Sequence, residues 1–151
     1  MKLCDAGVVI MKELVEDVTA INCIDANGHS KTFYYICEKN VLSGEYTYRV
    51  YCQKQMQGEW FELSLKPCSD ELRVTMVNRH NRPEYKAKGI PEALIRTAAL
   101  KYKMKITSST NKEEYKCFPN EWRIEAVSKI FQRLDADYDS ETDLYTYVAK
   151  G

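Results

Sequence analysis

Four basic side chains, Arg79, Arg82, Lys86 and Lys88, precede the tripeptide Gly89-Ile90-Pro91. Gly permits a sharp backbone bend. Pro fits the first turn of a helix, because the N–H it lacks would be unpaired there anyway. A helix start leaves main-chain N–H groups free, and the helix dipole makes them attractive to anions. The spacing therefore predicts phosphate capture at a strand–loop–helix junction, on the amides of Lys88, Gly89 and Ile90 with Lys86 and Lys88 alongside.

The charge pattern supports an anionic ligand there. The 22 basic and 22 acidic side chains cancel, but unevenly along the chain. Residues 1–71 hold seven basic and eleven acidic side chains, residues 72–118 eleven and four, and the remainder four and seven. Positive charge is concentrated around the proposed cradle. A basic surface without a ligand gives the same count. Nucleic acid is the weaker partner for this charge, because no recognised binding motif accompanies it.

Other reactive residues are sparser. His80 stands in the basic loop, where it binds phosphate or stays solvated. Ser108, Ser109 and Thr110 end a strand, where they meet a substrate or cap the following loop. None of the six cysteines, Cys4, Cys23, Cys37, Cys52, Cys68 and Cys117, forms a Cys-x-x-Cys pair, and His29 and His80 are the only histidines. That spacing argues against a zinc site. No apolar run approaches a membrane span, and Val8-Val9-Ile10-Met11 is too short for the core of a secretory signal. The expectation is a cytoplasmic protein with reduced thiols packed as small hydrophobes, and with no membrane partner.

The elements that position the cradle follow from periodicity. A short helix is expected over Val9–Asp17. Val18–Asp25 and Lys31–Glu38 flank Asn27-Gly28, the signal for a type I′ hairpin turn. Tyr46–Gln53, Glu59–Lys66 and Leu72–Asn78 continue an antiparallel meander. The tyrosines of these strands, Tyr34, Tyr35, Tyr46, Tyr48 and Tyr51, are read as sheet packing. After the loop, Ile90, Leu94, Ala98 and Tyr102 recur every four residues, which marks an amphipathic helix ending near Lys103. Met104–Ser109 reads as a short strand. Asn120 is an N-cap for a second helix whose inner face is Trp122, Ala126, Ile130 and Leu134. Asp135–Asp143 reads as an acidic loop and Leu144–Ala149 as the last strand. The fold class is α+β in one domain over residues 1–151, with a mixed, mostly antiparallel sheet of six or seven strands and packed helices.

From Glu71 to Ala149 the order strand, basic loop, Lys-Gly-Ile, helix, strand, loop, helix, strand resembles the GNAT superfamily of N-acyltransferases. In that family a Gln/Arg-x-x-Gly-x-Gly/Ala signature opens the central helix and its amides hold the pyrophosphate of acetyl-CoA. The matching positions here are Lys86, Ala87, Lys88, Gly89, Ile90 and Pro91. Gly89 fits strictly, Lys86 keeps a positive charge, and Pro91 removes one amide donor. The resemblance implies acetyl-CoA or another acyl-CoA as the substrate cofactor, held by Val77, Lys86, Lys88, Gly89 and Ile90, and an unidentified amine as acceptor.

It also implies catalytic roles. The base is often a carboxylate at the start of the strand before the cradle, a region occupied by Asp70 and Glu71. The acid is a Tyr near the end of the second helix. The nearest equivalent is Phe131, which has no hydroxyl, so Tyr138 or Tyr145 is the alternative. Three functions follow in order: acyl-CoA binding with transfer to an amine, a degenerate binding or regulatory module on the same fold, and a nucleic-acid-binding protein.

Overall fold

The protein is described here by a computed structural model covering residues 2–3 and 9–150, with side chains from Met11 onward. Strands β1 (Lys2–Leu3) and β2 (Val9–Ile10) form a small antiparallel pair. The main sheet comprises β3 (Lys12–Ile24), β4 (Ser30–Asn40), β5 (Tyr46–Tyr51), β6 (Phe61–Cys68), β7 (Glu71–Asn78), β8 (Lys105–Thr107), β9 (Asp137–Asp139) and β10 (Leu144–Tyr147). Helices α1 (Ile90–Tyr102) and α2 (Glu125–Arg133) complete the α+β architecture. The eight strands lie in the order β3-β4-β5-β6-β7-β8-β10-β9.

The meander arises from side-chain alternation. Phe33, Tyr35 and Cys37 of β4, Tyr48 and Val50 of β5, and Phe61, Leu63 and Leu65 of β6 are all buried. Period-two burial on consecutive antiparallel strands gives the sheet one continuous apolar face. Helix α1 adds Ile90, Leu94, Ile95 and Ala98 to the same core, and α2 adds Val127, Ile130, Phe131 and Leu134. The strand tyrosines do pack: the Tyr35 and Tyr48 ring centroids are 5.5 Å apart, and those of Tyr46 and Tyr102 are 4.6 Å apart.

Several boundaries differ from the sequence expectation. Val9–Asp17 is not helical: Val9–Ile10 is β2 and Lys12–Asp17 belongs to β3, whose ladder with β4 reaches Lys12↔Asn40 through two register shifts between Leu14 and Thr19. The Asn27-Gly28 turn has positive φ at Gly28 alone, with the Gly28 N–H donating to the Asp25 carbonyl at 3.1 Å. Asp25 Oδ1 takes over the capping, accepting from the Asn27 and His29 N–H groups at 2.9 Å each. Helix α2 starts at Glu125, not beside Asn120, and Trp122 is 67% exposed. Residues before it are held instead by Glu121, which is buried against Arg73. The acidic loop contains a strand, β9, which pairs with β10 through Tyr138↔Tyr145.

The cysteine expectation is corrected at one pair. Cys68 and Cys117 are disulfide-bonded with Cα atoms 6.2 Å apart, a separation that fits such a bridge. The end of β6 and the segment after β8 meet in space, which a separation of 49 residues does not reveal. Cys23, Cys37 and Cys52 are free thiols; Cys4 lies outside the described residues. Burial, joined at Cys23 by the Glu92 carboxylate, pushes the thiols of Cys23 and Cys37 up to about 12. Among the described residues, no helix is long and apolar enough to cross a membrane.

Candidate functional site

Strand β7 has two different edges. It pairs with β6 along its length, but its parallel ladder with β8 covers only Glu71–Arg73 against Lys105–Thr107. The β6–β7 register passes from Leu65↔Val74 to Ser64↔Met76, so Thr75 is an extra residue in β7. A bulge bends its strand and raises the local twist. Beyond Arg73, Val74–Asn78 has no strand partner on the β8 side among the described residues, because β8 ends at Thr107.

A cleft of about 900 Å³ opens beside the free end of β7. Val77 and Asn78 form one wall, and Arg79 and Asn81 of the next loop its rim. The tip of the β3–β4 hairpin contributes Ile24, Asp25 and Ala26. The turn before α1 contributes Tyr85, Lys86, Ala87, Lys88 and Gly89, and α1 itself contributes Pro91, Glu92 and Arg96. Opposite them stand Ile124 and, on α2, Ala126, Lys129, Ile130 and Arg133. Of the residues read from sequence as cofactor-binding, Val77, Lys86, Lys88 and Gly89 therefore share one hollow. The Ile90 side chain is fully buried in the core, leaving only its main chain beside the helix start.

The loop that carries the lysines is shaped by backbone geometry. Ala87 has φ of 55° and Gly89, the N-cap of α1, φ of 77°. Pro91 sits in the first turn. Among the described residues, no hydrogen bond is found to the amides of Gly89 and Ile90. Tyr85 anchors the loop from below: its hydroxyl donates to the Glu59 carbonyl at 2.7 Å. Burial raises the pKa of that phenol, so it stays protonated across the ordinary pH range.

The electrostatics of the cleft are one-sided. It holds six basic side chains, Arg79, Lys86, Lys88, Arg96, Lys129 and Arg133, against two acidic ones, Asp25 and Glu92. Glu92 is consumed by Arg133, whose Nη2 and Nε lie 3.0 and 3.1 Å from Oε2. Asp25 keeps its charge: the His29 N–H bond leads the groups that hold its carboxyl below the ordinary value, with Lys88 a lesser contributor. Among the described residues, Arg79, Lys86, Lys88 and Arg96 have no carboxylate within 4.0 Å. Uncompensated cations around a concave surface focus positive potential into it.

The residues read as catalytic lie elsewhere. Glu71 begins β7, at the end away from the cleft, where its Oε2 accepts from Arg73 Nη2 at 3.2 Å. Asp70 is an exposed turn residue 3.8 Å from Lys105. The Tyr138 hydroxyl donates to Asp143 at 2.8 Å, and its ring packs on Tyr145 at 4.6 Å. Phe131 is fully buried, stacked 6.0 Å from Tyr145, and turns its ring into the core rather than the cleft. His80 leans on Trp60, with centroids 5.4 Å apart, instead of facing the cleft.

Ser108, Ser109 and Thr110 are structural in this arrangement. Their hydroxyls donate to the carbonyls of Ser109, Trp122 and Thr142 at 2.9, 3.0 and 2.8 Å. They belong to a buried polar network centred on two ion pairs. Arg73 Nη1 reaches Glu121 Oε2 at 2.9 Å, and Arg123 Nη2 reaches Asp143 Oδ1 at 2.6 Å. Glu121 also accepts from the Thr110 and Cys117 N–H groups at 2.7 and 2.9 Å. The network fastens the segment between β8 and α2, and so fixes where α2 meets the cleft.

Sequence reasoning missed Asp25, Tyr85, Glu92, Arg96, Lys129 and Arg133 as members of the cleft. Lys129 and Arg133 stand four apart on α2, off its inner face, and that spacing was the available signal. Nothing in the chain near Asp25 pointed to the start of α1. No family model matches the chain, and no curated protein or solved structure matches it.

Proposed function

We propose that this protein binds acetyl-CoA or another acyl-CoA in the cleft, with the pyrophosphate at the start of α1. The observation that carries the reading is the meeting of free helix-start amides with Lys86, Lys88 and Arg79 in one hollow. A diphosphate there gains amide hydrogen bonds, the helix dipole and charge-assisted contacts together. The GNAT resemblance supports the same ligand and the same loop. The unpaired edge of β7 beyond Arg73, which borders the cleft at Val77 and Asn78, is consistent with that resemblance.

A second reading has its own support. Acyl transfer needs the amine deprotonated and the thiolate protonated. Glu71 and Tyr138 stand outside the cleft, and Phe131 is in the core. These placements favour a GNAT-like binding or regulatory module over a fast N-acetyltransferase. Titration calorimetry with acetyl-CoA, beside an amine panel with thiol-release detection, separates the readings. Binding with turnover supports transfer, and binding without turnover supports the module. Failure to bind acetyl-CoA, with binding of mixed oligonucleotides instead, would assign the basic surface to nucleic acid.

A further inference from the structure

The segment between β8 and α2 packs little of itself into the core. Residues 111–120 include no buried side chain. Lys112, Glu113, Glu114, Cys117, Pro119 and Asn120 are exposed. A stretch that buries so little opens at low free energy unless something ties it down.

The ties come from β6 and β7. Cys117 is bridged to Cys68 at the end of β6. The Lys66 ammonium lies 4.4 Å from the centre of the Phe118 ring, and Arg73 Nη1 donates to the Tyr115 carbonyl at 3.1 Å. The bridge is the covalent tie, and across a separation of 49 residues it removes much of the freedom of the open chain. It also stands beside the carboxylate that sets the path into α2, since the Cys117 N–H donates to Glu121 Oε1 at 2.9 Å.

The bridge is also the sulfur chemistry that solvent can reach. Cys117 is exposed, whereas Cys68 is 8% exposed. Cys23 and Cys37 are fully buried, and burial keeps their thiols protonated, which makes them inert to exchange.

We propose that the Cys68–Cys117 bridge is a redox latch, which a small dithiol opens to loosen residues 111–120 and the first turn of α2. One thiolate of the dithiol attacks the Cys117 sulfur, and the Cys68 sulfur leaves as a thiolate and takes a proton. The second thiol of the reductant then displaces Cys117 as a thiol and closes a cyclic disulfide. The bridge gains two electrons and two protons, and the dithiol loses them. Ile124, Ala126 and Lys129 line the cleft, so the latch governs how firmly that wall is held. A local redox change thus biases a segment that has a held and a loose state. The inference goes beyond the acyl-CoA reading and does not depend on which ligand the cleft takes.

The test is hydrogen–deuterium exchange of the full chain, purified without reductant, before and after dithiothreitol. Reduction should add two titratable thiols, those of the bridge. Exchange across residues 111–120 should quicken by about tenfold or more, with a smaller rise in the first turn of α2 and none in β4, β5 or β6. The double variant Cys68→Ser with Cys117→Ser should show the loosened pattern without reductant and ignore dithiothreitol. No gain in thiols, unchanged exchange, or a rise that stops short of α2 would overturn the inference. So would lost protection throughout the sheet, or a double variant that unfolds, since either makes the bridge a staple of the whole fold. A double variant that still responds to dithiothreitol would overturn it as well, by placing the effect at other cysteines.

Discussion

A Cβ added to Gly89 would lie 2.1 Å from the carbonyl oxygen of Ile24. The end of β3 and the first residue before α1 thus meet backbone to backbone, with no room for a side chain. The same Gly89 has φ of 77°, which only glycine adopts at low cost. The contact seats the β3–β4 hairpin against the helix start and gives the cleft its hairpin wall.

Gly89→Ala is therefore expected to destabilise the fold by about 3 kcal/mol or more, combining left-handed backbone strain with overpacking. Gly28→Ala is the control. Its φ is 82° and nothing lies within 4 Å of the added carbon, so only strain of about 1–2 kcal/mol applies. Urea denaturation of both variants checks the difference. Equal losses would mean that the Ile24 approach is looser than described.

Lys86→Glu and Lys88→Glu should each weaken acetyl-CoA binding about tenfold at low salt, with the gap narrowing as salt rises. Lys86 is exposed and Lys88 half-buried, so the thermal midpoint should hardly move. Calorimetry at two ionic strengths measures this. An effect that ignores salt would point to misfolding rather than lost attraction.

The buried Arg73–Glu121 pair makes a sharper stability prediction. Both side chains are at most 3% exposed, so removing one partner strands a buried charge. Glu121→Ala should cost about 3–5 kcal/mol, and the double variant Arg73→Met with Glu121→Leu much less. Equilibrium unfolding of the single and double variants reads this directly. A double variant no more stable than the single one would show that the main-chain bonds to Glu121 carry the effect.

Asp143 sets a pH dependence. Burial alone would raise its carboxyl pKa, but Arg123, the Asn111 N–H and the Tyr138 hydroxyl outweigh burial and hold it at about 2. The unfolded value is about 3.9. The native state therefore binds its proton later, and the carboxylate's stabilisation, roughly 2 kcal/mol, is complete above about pH 4. It is lost as pH falls through about 2. Acid titrations of native protein and Asp143→Asn should diverge above pH 4 and converge toward pH 2. Parallel curves would remove Asp143 from the account.

Much of the strand layout was legible because alternation survives in β4, β5 and β6, where one face is buried. Helix α1 was legible for the same reason at a different period. The start of α2 was not, because Glu121 and Arg73 are 48 residues apart and their pairing decides the path before the helix. The start of β3, Lys12–Asp17, was misread as helix because its edge position leaves Leu14 exposed and two register shifts break its alternation. The cradle lysines were found locally, since the loop and helix start adjoin in sequence. Asp25 and Arg133 come from distant elements and carry no local mark. The disulfide partners are likewise joined only by the fold.

The most direct measurement of the central claim is a backbone amide NMR titration of the native chain with acetyl-CoA. The account predicts that the largest shifts fall on Lys88, Gly89 and Ile90, with smaller ones at Val77 and Lys129. An unchanged spectrum, or shifts gathered at residues remote from α1 such as Ser109 and Tyr138, would contradict it.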